Sequence, residues 1–110
     1  MVVYKGLQQR DVTQAAEAAV VQWLRRDDWQ IVWDSRDPEL AYIEARKDAA
    51  LLLVRVTSAI EPDQPSLPGN AESARLRQRA AEMETIAWAA KVQLDRDLNL
   101  RWINWVPLNS

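Results

Sequence analysis

The chain has 110 residues, 48% of them hydrophobic and 27% charged, with a formal net charge of −2; this bounds it to one domain spanning 1–110 around a modest core, with no global positive field toward nucleic acid or anionic membrane. It contains no cysteine and no histidine, which excludes disulfides, thiol nucleophiles, thiolate zinc sites, Ser-His-Asp triads and imidazole metal ligands. A bound metal would have to be a hard ion such as magnesium on carboxylates, and contact with a polyanion would have to come from a local arginine cluster.

The amino terminus, MVVYKGLQQR, lacks the apolar core of a signal peptide, and no apolar run approaches the ~18 residues that span a bilayer. A cytoplasmic protein with no membrane partner is the expectation. Residues 12–27 are predicted helical, because Ala16, Ala19, Val20, Trp23 and Leu24 recur at three- and four-residue spacing. Asp11 or Thr13 can cap its start, with Asp11 and Gln14 a loose capping box, and Asp27-Asp28 opposes the helix dipole and marks its end.

Residues 29–35, WQIVWDS, alternate as a first strand, and after the turn SRDPE a second follows at 40–45, LAYIEA. A hairpin turn at 45–48 leads to the third and most apolar strand, ALLLVRVT at 50–57. Residues 58–70 hold three prolines and a glycine and predict an extended, exposed loop. Asn70 is placed to cap a second helix, with Glu72 in its first turn. Leu76, Ala80, Met83, Ala87, Ala90 and Leu94 then predict one long helix of about six turns. LRWINWVP, 100–107, reads as the last strand, stopped by Pro107. The fold class is α/β: helix, three-stranded meander, helix, strand, with a mixed sheet flanked by helices.

That order resembles the restriction-endonuclease-like, or PD-(D/E)xK, fold, and within it the small bacterial YraN-like proteins, relatives of archaeal Holliday-junction resolvases. The resemblance covers about residues 14–106. A family glutamate opening the first helix corresponds to Glu17, ahead of Trp23-Leu24, and DDWQIVW resembles the family's "gly-trp-x-ile-leu" with Asp28 for the glycine. Where the family begins its second strand Gly-Glu-Leu/Ile-Asp, this chain has Pro38, Glu39, Leu40 and Ala41, so alanine replaces the catalytic aspartate. Where the third strand carries Val-Glu-Val-Lys, this chain has Val54-Arg55-Val56-Thr57. Arg55 thus stands at the metal-binding glutamate and Thr57 at the lysine.

Metal-assisted phosphodiester hydrolysis needs converging carboxylates and a cation near the attacking water. The resemblance therefore implies a degenerate site of Glu17, Glu39, Ala41, Arg55 and Thr57, with no catalytic residue and no cofactor. The expected function is a catalytically silent module that binds DNA or a nucleic-acid-processing complex, using Arg55, Arg75 and Arg79. One alternative is a protein-interacting or structural subunit. The other is a magnesium-dependent endonuclease with ligands relocated among Asp34, Asp37, Glu39 and Glu44.

Arg55 itself has two readings. It forms an ion pair with Glu17 or Glu39 in place of the ancestral metal, or it binds a backbone phosphate aided by Thr57. Arg75, Arg77 and Arg79 likewise read as a solvated helix face paired with Glu72 and Glu82, or as a phosphate-tracking patch. Trp23, Trp29, Trp33 and Trp88 read as core; Trp102 and Trp105 fall on opposite faces of the last strand, leaving one for exposure.

Overall fold

A computed structural model describes residues 3–4, 7–35 and 40–108. A two-residue ladder of β1 (Val3–Tyr4) and β2 (Leu7–Gln8) leads directly into α1 (Gln9–Arg26). β3 (Gln30–Ser35), β4 (Tyr42–Lys47), β5 (Ala50–Ile60), α2 (Asn70–Glu82), β6 (Ala87–Leu94) and β7 (Leu100–Pro107) follow. The last five strands form one sheet in the order β3-β4-β5-β6-β7. β3, β4 and β5 are the expected antiparallel meander, β6 lies parallel to β5 after the α2 crossover, and β7 returns antiparallel to β6. The fold is α/β with a mixed sheet, and the parallel strand is β6 rather than the 100–107 strand.

Strand alternation sorts the core into two layers. Val12, Ala16, Val20 and Leu24 of α1 pack with Ile43, Ala45, Val54, Val56, Ile60, Ala90, Val92 and Leu94 on one face of the sheet. On the other face, Leu76 and Ala80 of α2 pack with Leu53, Ala87, Ala89 and Leu108. Deleting a side chain such as Leu76, which is fully buried, would cost ~2–5 kcal/mol. Among the described residues no helix is long and apolar enough to cross a membrane.

α1 starts earlier than its sequence pattern suggests. Gln8, in extended conformation, is the N-cap, and Asp11 accepts a hydrogen bond from its backbone N–H at 3.2 Å, so neither Asp11 nor Thr13 is itself the cap. Both helices end in Schellman geometry. Trp29 N–H donates to the Leu24 carbonyl and Asp28 N–H to that of Arg25; Thr85 N–H donates to Ala80 and Glu84 N–H to Ala81. Glycine usually takes the left-handed position of this motif, yet Asp28 (φ 64°) and Glu84 (φ 58°) occupy it here.

The long second helix is therefore an overextension. α2 stops at Glu82, and residues 87–94 form a central strand. The cap also moves: Gly69 is the N-cap and Asn70 the first helical residue, while Ser73 Oγ donates to the Pro68 carbonyl at 3.2 Å. The proline-rich segment is shorter and better anchored than expected, because β5 runs on to Ile60. Glu61 N–H donates to the Leu94 carbonyl, Gln93 Nε2 donates to the Asp63 carbonyl at 2.8 Å, Glu61 pairs with Arg101, and Pro65 is buried.

Candidate functional site at a fork in the sheet

The β4–β5 ladder runs from Lys47↔Ala50 to Ile43↔Val54 and stops there. β5 continues for six more residues, paired through Ile60 with β6 on its other side. The strands thus part just before Arg55, and a cavity of about 10 Å³ remains, lined by Glu17, Ala41, Tyr42, Ile43, Val54, Arg55 and Val56. Glu17, Ala41 and Arg55 of the expected site all border this cavity, Glu17 from α1 on one face of the sheet and Arg55 from β5. Glu17 lies in the middle of α1 rather than at its opening and is half-buried. Glu39 and Asp37 lie outside the described residues, as do the side chains of Trp33 and Asp34.

Arg55 projects to the α2 face. Its Nε donates to Glu72 Oε1 at 2.6 Å, and a terminal nitrogen donates to the Val56 carbonyl at 3.0 Å. The two charged side chains are 25% and 24% exposed, so water only partly screens the pair. Arg55 thus forms an ion pair with Glu72, a residue expected only to serve the helix dipole and its arginine neighbours; of the two expected partners, Glu39 lies outside the described residues. Glu72 reaches Arg55 because the crossover lays the first turn of α2 over β5.

Thr57 follows on the same face of β5. Its Oγ1 is buried and has no hydrogen-bond partner among the described residues, which leaves a polar atom unsatisfied at a cost of ~1–3 kcal/mol. The parallel register sets Lys91 of β6 directly beside Thr57. Lys91 was missed because residues 87–94 read as helix. The available signal was a period of two, Ala87, Ala89, Lys91 and Gln93 against Trp88, Ala90, Val92 and Leu94.

Among the described residues, Ala41 offers no side-chain oxygen, and the Arg55 guanidinium, already held by a carboxylate, would repel a divalent cation placed beside it. Among the described residues no group of three or more acidic side chains could hold a metal ion.

The arginines of α2 divide by contact. Arg79 Nε donates to the Tyr42 hydroxyl at 3.2 Å, and its terminal nitrogens approach Glu82 at 3.4 Å and Glu44 at 3.9 Å. The Tyr42 hydroxyl is the main cause of its raised pKa. Arg77 donates to the Leu108 carbonyl at 3.4 Å, and Arg75 lies on the exposed side of the helix. The pairing with Glu82 is as expected; the ties to β4 and to Leu108 make Arg77 and Arg79 struts between α2 and the sheet.

The tryptophans also depart from expectation. Trp23 is 42% exposed rather than core, and Trp29 and Trp88 are half-buried. Trp102 and Trp105 do face opposite sides of β7, and both are half-buried.

No protein-family model matches this chain, and no curated protein matches it.

Proposed function

We propose that this protein is a non-cleaving module of the restriction-endonuclease type that binds nucleic acid, acting alone or within a nucleic-acid-processing complex. The observation that carries the reading is Arg55: a fixed guanidinium at the fork between β4 and β5, in the place where the family resemblance implies a metal-binding glutamate. The element order supports it, since a helix, a three-stranded meander, a helical crossover and a parallel strand are all present.

The chemistry of the face is that of a phosphate site. A guanidinium has five N–H donors, and the two bonds to Glu72 and Val56 leave others for a phosphodiester oxygen. Lys91, one strand over on the same face, supplies a second cation. The set orients and neutralises a backbone phosphate, and it provides no carboxylate–metal pair to activate water. Glu72 holds the guanidinium in place and competes with the phosphate for it.

The test is fluorescence anisotropy with labelled single-stranded and branched DNA, in EDTA and in magnesium, across a salt series. The reading requires binding that weakens with salt, is indifferent to magnesium, falls on Arg55→Gln or Lys91→Gln, and leaves the DNA intact. Absence of binding at low salt would refute it. A second reading, a protein-interacting subunit without nucleic-acid contact, draws on the net charge of −2 and the commitment of Arg77 and Arg79 to internal contacts.

A further inference from the structure

On the opposite face of the sheet from Arg55, a cavity of about 240 Å³ is lined by Trp23, Trp29, Trp88 and Trp105, with Leu52 and Asp27. The indoles come from α1, the α1–β3 turn, β6 and β7, so the fold rather than a local run of sequence assembles them. Trp23 and Trp105 meet with ring centroids 5.1 Å apart, tilted by 46°. We propose that this cavity is a binding site for a small quaternary ammonium group, a proposal independent of the nucleic-acid reading.

Three features select that chemistry. Indole faces carry negative quadrupole potential and attract cations, most strongly when water is excluded. Asp27 adds a formal negative charge at the rim. The protein already shows the field at work: Lys47 Nζ stands 6.0 Å from the Trp29 ring centroid and 3.5 Å from Asp27 Oδ1.

The same contacts argue against a primary ammonium ligand. Asp27 Oδ2 already accepts from Trp29 Nε1 at 3.2 Å, and Oδ1 faces Lys47. The other lining side chains offer carbon and indole N–H and no acceptor for three ammonium protons. A cation without N–H donors enters such a site without losing hydrogen bonds to water that the protein cannot replace. The volume lies below the ~300–1,000 Å³ of drug-sized pockets, which restricts the ligand to a compact head group.

Titration calorimetry of the full chain with choline tests the proposal. Controls are ethanolamine, its primary-ammonium analogue, and dimethylbutanol, its neutral tert-butyl isostere. Saturable choline binding is expected, with both controls at least about tenfold weaker. Asp27→Asn, a change at an exposed side chain that leaves the core untouched, should weaken choline several-fold, and Trp105→Leu should abolish binding. Lys47→Gln, which removes the internal competitor, should preserve or tighten it. Equal binding of choline and dimethylbutanol would reduce the site to a plain apolar pocket and overturn the proposal. So would no choline binding, binding undiminished in both Asp27→Asn and Trp105→Leu, or loss of binding in Lys47→Gln.

Discussion

Replacing Glu72 with alanine should destabilise the fold and, under the proposed nucleic-acid binding, strengthen the hold of Arg55 on phosphate. The carboxylate sits 2.6 Å from Arg55 Nε, and each partner is about one quarter exposed (25% and 24%). Fully exposed pairs contribute ~0–1 kcal/mol, whereas breaking a buried pair costs ~3–5 kcal/mol, because one charge is left uncompensated. A pair of this burial falls between, at about 2 kcal/mol. For a domain of this size that corresponds to ~8 °C in Tm, or to roughly 1 M in the urea midpoint. The assay is urea unfolding of the wild type, Glu72→Ala, Arg55→Met and the double variant. The double should recover much of the loss, giving a coupling of ~1–2 kcal/mol, since it leaves no unpaired ion. In parallel, Glu72→Ala should bind DNA more tightly than the wild type, because the guanidinium no longer has an internal carboxylate. A Glu72→Ala midpoint unchanged within ~0.25 M, together with additive single changes, would refute the view that this pair organises the site.

Glu84→Gly should stabilise the protein by ~0.5–1 kcal/mol in thermal unfolding, because Glu84 holds a left-handed backbone (φ 58°) that glycine adopts without Cβ strain. Asp95 accepts backbone hydrogen bonds from Asn99 and Asp97 in the β6–β7 turn, and the Asn99 bond chiefly holds its carboxyl below the ordinary value of 3.8. A depressed folded pKa means the contribution is complete above that ordinary value and is lost as pH falls through the folded one. Asp95→Ala should therefore narrow its stability gap to the wild type as pH is lowered below about 4, as measured by urea unfolding across pH. Arg79→Gln should lower stability and affect DNA affinity less than Arg55→Gln does, because Arg79 is committed to Tyr42, Glu44 and Glu82; the opposite ranking in anisotropy would return Arg79 to the binding surface.

The parts of this fold that were legible in the sequence are those with a single clear period. α1 shows one stripe of fully buried residues at Val12, Ala16, Val20 and Leu24, and β7 ends at Pro107 as expected. The meander was legible because its strands are separated by turn residues. β6 was not, because it is central and buried on both faces: Ala87 and Ala89 meet α2 while Ala90, Val92 and Leu94 meet α1. A strand apolar on both faces shows only a faint polar–apolar alternation, here confined to Lys91 and Gln93, and its alanines continue the helical spacing of α2. The stop signal was hidden as well, since the Schellman position holds Glu84 where glycine would have announced the end.

At the site, strand parity placed Arg55 and Thr57 on one face, whereas Glu17 and Ala41, which border the same cavity, were grouped with Arg55 only through the family resemblance. The partner of Arg55 could not be read the same way. Glu72 lies 17 residues on, across a loop, and only the docking of α2 over β5 brings the charges together. Lys91 disappeared with the misread strand. The tryptophan-lined cavity was invisible for a related reason: its indoles come from separate elements, and composition alone sends such residues to the core.

The central claim is that a fixed cation at the sheet fork lets this domain hold a phosphodiester backbone without cutting it. The most direct measurement is anisotropy of a labelled branched DNA with wild type and Arg55→Gln at low salt, with the same samples run on a denaturing gel after incubation in magnesium. The account predicts salt-sensitive wild-type binding, several-fold weaker binding by Arg55→Gln, and intact DNA in every lane. Magnesium-dependent cleavage products, or wild-type binding that Arg55→Gln leaves unchanged, would contradict it.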